Sequence, residues 1–110
     1  MSSYGIKEVD APELARWLDE KGGSFRVLDV RQAHEIAQGS VPGASAVPLH
    51  TLPLKLNELE RNETLVLVCR SGARSAQACM FLHQQGFENV FNLRGGMIAW
   101  GQSGLPAVAP

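Results

Sequence analysis

The stretch TLVLVCRSGARS, residues 64–75, decides the fold. Its first five residues form an uninterrupted apolar run of β-type side chains, which is the pattern of a strand covered on both faces by helices. The next residues form a short loop containing Gly72, and apolar positions at helical spacing follow. A buried strand, a loop and a helix in immediate succession are typical of α/β domains. We therefore predict an α/β fold with residues 64–68 as its central strand.

The sequence on both sides of this stretch alternates between strand and helix patterns. Asp10 followed by Ala11-Pro12-Glu13 is typical of a helix start, and Gly22-Gly23 is expected to end that helix. We predict further strands at residues 25–30, 46–48 and 89–93, and further helices at residues 32–38, 50–59, 75–85 and 96–100. Such alternation implies right-handed crossovers, so we expect a mostly parallel sheet with helices on both faces.

The composition fits a single domain over residues 1–110, with 45% hydrophobic and 19% charged residues. Ten Lys and Arg against eleven Asp and Glu give a net charge of -1, which argues against a general nucleic-acid or anionic-membrane binder. No apolar run approaches the length of about twenty residues needed to cross a bilayer. Residues 1–8 lack the basic and apolar regions of a secretory signal, so we expect a cytoplasmic location.

Cys69 directly follows the most buried predicted strand, at the edge where open α/β sheets bind ligands. The loop N–H groups, the start of the next helix and the charges of Arg70 and Arg74 all favour the thiolate form. The alternative is an inert core cysteine, which the two arginines and Gly72 argue against. We predict a nucleophilic cysteine in an anion pocket. The pocket is expected to consist of Arg70, Ser71, Gly72, Ala73, Arg74 and Ser75.

The loop Cys69-Arg70-Ser71-Gly72-Ala73-Arg74-Ser75 resembles the active loop of the rhodanese, or sulfurtransferase, family, Cys-x-x-Gly-x-Arg followed by Ser or Thr. Two further blocks agree with the family: residues 28–31 with Glu35, Gly39 and residues 42–44, and residues 93–100. The chain departs from the family at residues 39–41 and 44–48, away from the nucleophile. The resemblance spans nearly the whole chain and implies a three-layer α/β/α domain with a mostly parallel, five-stranded central sheet.

The resemblance implies a thiosulfate sulfurtransferase that needs no bound cofactor. Cys69 takes the outer sulfur of a small anionic donor, such as thiosulfate or a persulfide, and holds it as a covalent persulfide. Cyanide, a thiol, a sulfur-carrier protein or a thioredoxin-like acceptor then removes that sulfur. In this cycle we expect Arg70 to contact donor oxygens and Arg74 to brace the loop. Ser75 is expected either to cap the helix or to bind an anion.

Two other functions remain open. Cysteine phosphatases and certain arsenate reductases resemble Cys-(x)5-Arg, one residue longer than the loop here, and the tighter loop favours transfer of a single sulfur atom. A rhodanese-like module for sulfur relay or persulfide sensing, with little thiosulfate turnover, is the main alternative. Loop length argues only against the phosphatase.

Side chains outside the loop have less specific predicted roles. Asp29 either supports the site, by orienting Arg74 or accepting loop hydrogen bonds, or is an exposed or helix-capping acid. Arg31 either pairs with Glu35 or lines the pocket rim. Cys79 lies among apolar helix positions and is predicted to be a core thiol. The three histidines show no spacing that gathers a ligand set, so no metal is expected.

Overall fold

Strands and helices alternate along the chain in the computed structural model, which describes residues 5–21 and 24–109. The strands are β1 Lys7–Val9, β2 Arg26–Asp29, β3 Ser45–Ala46, β4 Leu65–Val68 and β5 Val90–Leu93. The α-helices are α1 Ala11–Lys21, α2 Ala33–Ile36, α3 Ala73–Gln84 and α4 Gly96–Gln102, and a 3₁₀ segment covers Leu49–Glu58. The predicted α/β alternation is confirmed.

The five strands form one parallel sheet in the order β1-β5-β4-β2-β3. The middle strand is β4, and all four of its residues are buried. In the register of the sheet, Leu67 lies beside Leu28 of β2 and Asn92 of β5. The carboxyl ends of these three strands therefore meet at one edge, immediately before Cys69.

Side chains of β4 alternate between two hydrophobic layers. Leu65 and Leu67 pack on the face that carries α3 and the 3₁₀ segment, and Cys69 continues on that face. Val66 and Val68 pack on the opposite face with α1 and α4. A sheet buried between two layers of helices is the predicted three-layer arrangement, and it explains why β4 is apolar without interruption.

Several predicted boundaries differ from the structure. The sequence pattern assigned no residues to the edge strand β1, which is only three residues long. The segment predicted as a helix at residues 50–59 is a 3₁₀ helix, and Pro53 inside it lacks the N–H that an α-helix requires there. The helix predicted from Ser75 begins at Ala73. The predicted stop at Gly22-Gly23 lies outside the described residues.

The start of α1 is as predicted, because the Asp10 carboxylate accepts a hydrogen bond from the Glu13 N–H at 2.9 Å. No helix in the described part of the chain has both the length and the apolar character needed to span a membrane.

Candidate active site

Cys69 is the first residue after β4, and its side chain is only 1% exposed. Its Sγ accepts a hydrogen bond from the Gly72 N–H at 3.1 Å and lies 3.3 Å from the Ser75 hydroxyl. Gly72 is the N-cap of α3 and has a φ of 100°, a conformation that side-chain-bearing residues rarely adopt. The loop thus turns back over the sulfur at the point where the helix begins.

The surroundings of Cys69 have opposing effects on its thiol. Burial alone raises the pKa of Cys69, but the Ser75 hydroxyl and the backbone N–H groups of Ser75, Gly72 and Ser71 outweigh it, so the pKa is lowered. These are donors that stabilise the thiolate rather than the thiol. The site can therefore supply a thiolate nucleophile more readily than an ordinary cysteine does.

The helix α4 holds the other side of this loop. The N–H groups of Met97 and Ile98 donate to the carbonyls of Cys69 and Arg70, at 2.9 and 3.0 Å. A Cβ at Gly96 would lie only 2.4 Å from the Cys69 carbonyl oxygen, and the φ of Gly96 is +59°. These contacts turn the two carbonyls toward α4, and the N–H group that follows the second of them, that of Ser71, hydrogen-bonds to Sγ. Gly96 allows the close approach that this arrangement requires.

Arg74 lies in the first turn of α3, not at the end of the loop as predicted. Its two terminal nitrogens donate to the two carboxylate oxygens of Glu35 at 2.7 and 2.8 Å. This pair lowers the pKa of Glu35 to about 2, with the hydrogen bonds from Arg74 as the largest cause. Arg74 thus ties α2 to the first turn of α3, and its positive charge also acts on Cys69.

Arg70 has different surroundings from Arg74. It is exposed, and its guanidinium has no carboxylate or hydrogen-bond acceptor within the described parts of the chain. It lines a cavity of about 270 Å³ together with Arg31, Glu35, Gln38, Met97 and Ile98. A cation at the rim of this cavity is available for an anionic ligand.

The remaining predicted loop residues divide between the surface and the interior. Ser71 and Ala73 are exposed, and Gly72 is buried. Ser75 is 0% exposed and faces Cys69 Sγ and Asn92 Oδ1, so it is neither the helix N-cap nor open to a ligand from outside. Both predicted roles of Ser75 require revision, because the cap position belongs to Gly72.

Asp29 is fully buried at the end of β2, so it is not the exposed acid that the sequence allowed. Its carboxylate accepts hydrogen bonds from Arg31 at 2.7 Å and from the Ser40 hydroxyl at 2.6 Å. Asp29 therefore holds Arg31, which lines the cavity beside Arg70, and does not hydrogen-bond to Arg74. Arg31 pairs with Asp29 and not with Glu35, which pairs with Arg74. The other predicted place for Arg31, at the pocket, agrees with its position in the lining of the cavity.

Asn92 is a site residue that the sequence reasoning missed. It lies on β5, is only 4% exposed, and donates from Nδ2 to the Gly72 carbonyl at 3.1 Å. The signal was a single amide within the apolar strand pattern at residues 90–93, since a buried amide must find hydrogen-bond partners.

Cys79 lies on α3 and packs in the same hydrophobic layer as Cys69. Burial, as the largest cause, raises the pKa of Cys79 to about 12. This thiol is neutral at physiological pH, in agreement with its predicted place in the core. Among the described residues, no three His, Cys, Asp or Glu side chains are grouped as metal ligands would be.

The fold and this site define a class of α/β domains that present one cysteine, at the end of the central strand, to a loop of inward-facing N–H groups. The chain belongs to the rhodanese-like domain family, which it matches over residues 10–103. The resemblance noted at residues 69–75 is thereby confirmed.

Three similar proteins each match most of this chain. A sulfurtransferase from Allochromatium vinosum is 46% identical, over 96% of this chain and 97% of that protein. The thiosulfate sulfurtransferase GlpE from Pseudomonas aeruginosa is 34% identical, over 82% of this chain and 80% of that protein. The crystal structure of a rhodanese-like domain protein from Staphylococcus aureus superposes with a TM-score of 0.83, at 36% identity, over 94% of this chain and all of that one.

Proposed function

We propose that the protein is a sulfurtransferase that carries a sulfane sulfur from an anionic donor, thiosulfate or a persulfide, to a thiophilic acceptor through a persulfide on Cys69. The observation that carries the proposal is the set of hydrogen-bond donors around Cys69 Sγ, which lower the pKa of a buried thiol. The relatives named as sulfurtransferases support the same chemistry.

The first step loads the cysteine. The Cys69 thiolate attacks the outer sulfur of thiosulfate, a bond forms between Sγ and that sulfur, and the sulfur–sulfur bond of the donor breaks. Sulfite leaves with the electron pair of the broken bond. Arg70 is exposed and lines the cavity, where its guanidinium can pair with the oxygens of the donor and of the departing sulfite.

The second step removes the transferred sulfur from Cys69. The terminal sulfur of the Cys69 persulfide is attacked by cyanide, by a small thiol or by a thiolate of a carrier protein, and the bond between that sulfur and Sγ breaks. Sγ leaves as a thiolate, which accepts hydrogen bonds from the Gly72 N–H and its neighbours. The same donors thus stabilise the attacking form in the first step and the leaving form in the second.

The arginines favour sulfur transfer over phosphate chemistry. Four residues separate Cys69 from Arg74, one fewer than in the phosphatase loop. Both terminal nitrogens of Arg74 are engaged by Glu35, so this guanidinium is not free to enclose a tetrahedral phosphate. The cation that remains available beside the loop is Arg70, at the cavity rim.

Intact-protein mass spectrometry tests the proposal. Wild-type protein incubated with thiosulfate should gain the mass of one sulfur atom and lose it again when cyanide is added. Cys69→Ser should gain no mass. Cys79→Ser, which removes the other buried thiol, should gain one sulfur atom as the wild type does. Loading on Cys79, or loading that survives Cys69→Ser, contradicts the assignment.

The same experiment separates enzyme from relay module. Parallel incubations use thiosulfate and glutathione persulfide as the two donors. Loading by both supports a sulfurtransferase of broad donor range, and loading by the persulfide alone supports the relay or sensing role. If neither donor loads Cys69, the proposed function is wrong.

A further inference from the structure

The carboxamide of Asn92 joins the N-cap of α3 to the hydroxyl beside the reactive sulfur. Its Nδ2 donates to the Gly72 carbonyl at 3.1 Å, and its Oδ1 lies 2.5 Å from Ser75 Oγ. A carbonyl can only accept, so the amide nitrogen must face Gly72 and the amide oxygen must face Ser75. The hydroxyl of Ser75 therefore has to be the donor in its contact with Asn92.

Ser75 has one hydroxyl proton and two acceptors for it. One acceptor is Asn92 Oδ1, and the other is Cys69 Sγ at 3.3 Å. When Cys69 is a thiol, its S–H can point to Ser75 Oγ while the hydroxyl donates to Asn92. When Cys69 has lost its proton to solvent, Sγ can only accept a hydrogen bond. The Ser75 hydroxyl then donates to Sγ and no longer to Asn92 Oδ1.

We propose that Asn92 is a positioning residue that makes Ser75 a charge-dependent donor: the hydroxyl is held by Asn92 Oδ1 while Sγ is uncharged and turns to Sγ when Sγ becomes a thiolate. Applied to sulfur transfer, this inference rests on the proposed function. In the persulfide the negative charge lies on the terminal sulfur, so the hydroxyl stays with Asn92. When the acceptor takes that sulfur, charge returns to Sγ and the hydroxyl follows it.

This competition moderates the acidity of Cys69. Each ionisation costs the Ser75–Asn92 hydrogen bond, so Asn92 holds the pKa of Cys69 higher than Ser75 alone would set it. A thiolate of very low pKa is a weaker nucleophile, so moderation preserves reactivity while Ser75 still stabilises the leaving thiolate. Asn92 makes no hydrogen bond to Sγ: its oxygen acts on the sulfur through Ser75, and its nitrogen holds the Gly72 carbonyl. It contacts neither donor nor acceptor, since it is 4% exposed.

Other charged and titratable groups around Cys69 can also affect its ionisation, so none of them is substituted in the test. They are Arg70 in the loop, Arg74 and Cys79 on α3, Glu35 on α2 paired with Arg74, and Asp29 at the end of β2 paired with Arg31. In the described part of the chain, none of them hydrogen-bonds to Asn92.

The test is the pH dependence of iodoacetamide alkylation at Cys69 in the full chain, which reports the thiol pKa without any sulfur transfer. Ser75→Ala should raise that pKa by about one unit, a tenfold loss of thiolate at low pH. Asn92→Ala should lower it by about half a unit, a threefold gain of thiolate. In the Ser75→Ala background, Asn92→Ala should have no further effect. Asn57→Ala, at an exposed asparagine, is the matched control and should behave as wild type.

Any other pattern overturns the proposal, namely an unchanged or raised pKa in Asn92→Ala, or an equal shift in both backgrounds. If Asn92→Ala does not fold, as judged by circular dichroism, the near-isosteric Asn92→Asp decides. A carboxylate accepts the Ser75 hydrogen bond more strongly than the amide, so Asn92→Asp should raise the pKa more in the wild-type background than in Ser75→Ala, where only repulsion of the thiolate remains. An equal rise in both backgrounds, or no rise, overturns the proposal. Because alkylation requires no sulfur donor, these outcomes are independent of whether the protein transfers sulfur.

Discussion

Arg70 and Arg74 carry the same charge but differ in their hydrogen-bond partners, so we expect them to have different roles. Arg74 is held by both oxygens of Glu35 and contributes a fixed positive charge near Cys69. Arg70 is exposed at the cavity rim, with no partner among the described residues. An arginine free to form charge-assisted hydrogen bonds is the one that a mobile anionic donor can use.

Arg70→Ala should therefore weaken use of an anionic donor. A lost hydrogen bond to a charged group is worth about 1.5–3 kcal/mol, so kcat/KM for thiosulfate should fall roughly tenfold to a hundredfold. The fall should lie mainly in KM, as measured by steady-state thiocyanate formation. Arg16→Ala, at an exposed ion pair on α1, is the control and should leave both constants unchanged. An Arg70→Ala variant with wild-type donor dependence would show that Arg70 does not bind the donor.

At the scale of elements, the site depends on how α4 meets the loop after β4. The first N–H groups of α4 take the carbonyls of Cys69 and Arg70, and Gly96 leaves room for that contact. The geometry of the loop therefore depends partly on a helix that begins more than twenty residues further along the chain. A substitution at the start of α4 should therefore alter the hydrogen bonds to Sγ without contacting the sulfur itself.

Gly96→Ala tests this coupling. The added Cβ would meet two loop carbonyls at 2.4 and 2.5 Å, and the φ of +59° disfavours any side chain. We expect a loss of about 1–3 kcal/mol in the free energy of unfolding and a raised Cys69 pKa, because the loop N–H groups shift away from Sγ. Urea denaturation and pH-dependent alkylation measure the two effects.

The matched control lies in the same helix. Gly101→Ala introduces a Cβ that meets nothing within 4 Å, and the φ of Gly101 is not positive. This variant should leave the Cys69 pKa unchanged and stabilise the helix by up to about 1 kcal/mol. If Gly96→Ala behaved in the same way, the contact between α4 and the loop would not position the thiolate.

Features of the fold and site that depend on residues adjacent in the chain could be predicted from the sequence. The apolar run before Cys69, the turn at Gly72 and the helix that follows lie next to one another in the chain, so strand, loop and nucleophile could be predicted together. The pairing of Arg74 with Glu35, 39 residues away, and of Ser75 with Asn92, 17 residues away, depends on the packing of α2 and the order of strands in the sheet. The edge strand β1 was missed because three residues leave a weak periodic signal, whereas the helix predicted at residues 50–59 is present but takes the 3₁₀ form, with Pro53 inside it.

For the molecule as a whole, the ion pair between Glu35 and Arg74 ties stability to pH. The pKa of Glu35 is lowered from 4.5 to about 2 in the folded protein. The pair therefore stabilises the fold fully above pH 4.5, and this contribution is lost as the pH falls toward 2. Both side chains are partly exposed, so the contribution should be about 1 kcal/mol or less.

Urea unfolding of wild type and Glu35→Gln between pH 2 and 6 measures this contribution. The difference in unfolding free energy should be largest near pH 6 and should shrink as the pH falls through the window between the two pKa values. Glu63 also has a lowered pKa, through Arg26, but it is common to both proteins and cancels in the difference. A difference that is constant with pH would mean that the charge of Glu35 contributes nothing to stability.

The order of strands in the sheet also governs how copies of the protein behave toward one another. The segment most able to pair with another chain is the apolar β4, and it lies in the middle of the sheet with all four residues buried. The two edges are formed by β1, of three residues, and β3, of two. Edges this short offer a second copy few unpaired backbone groups, so the fold protects itself against strand-to-strand aggregation at high concentration.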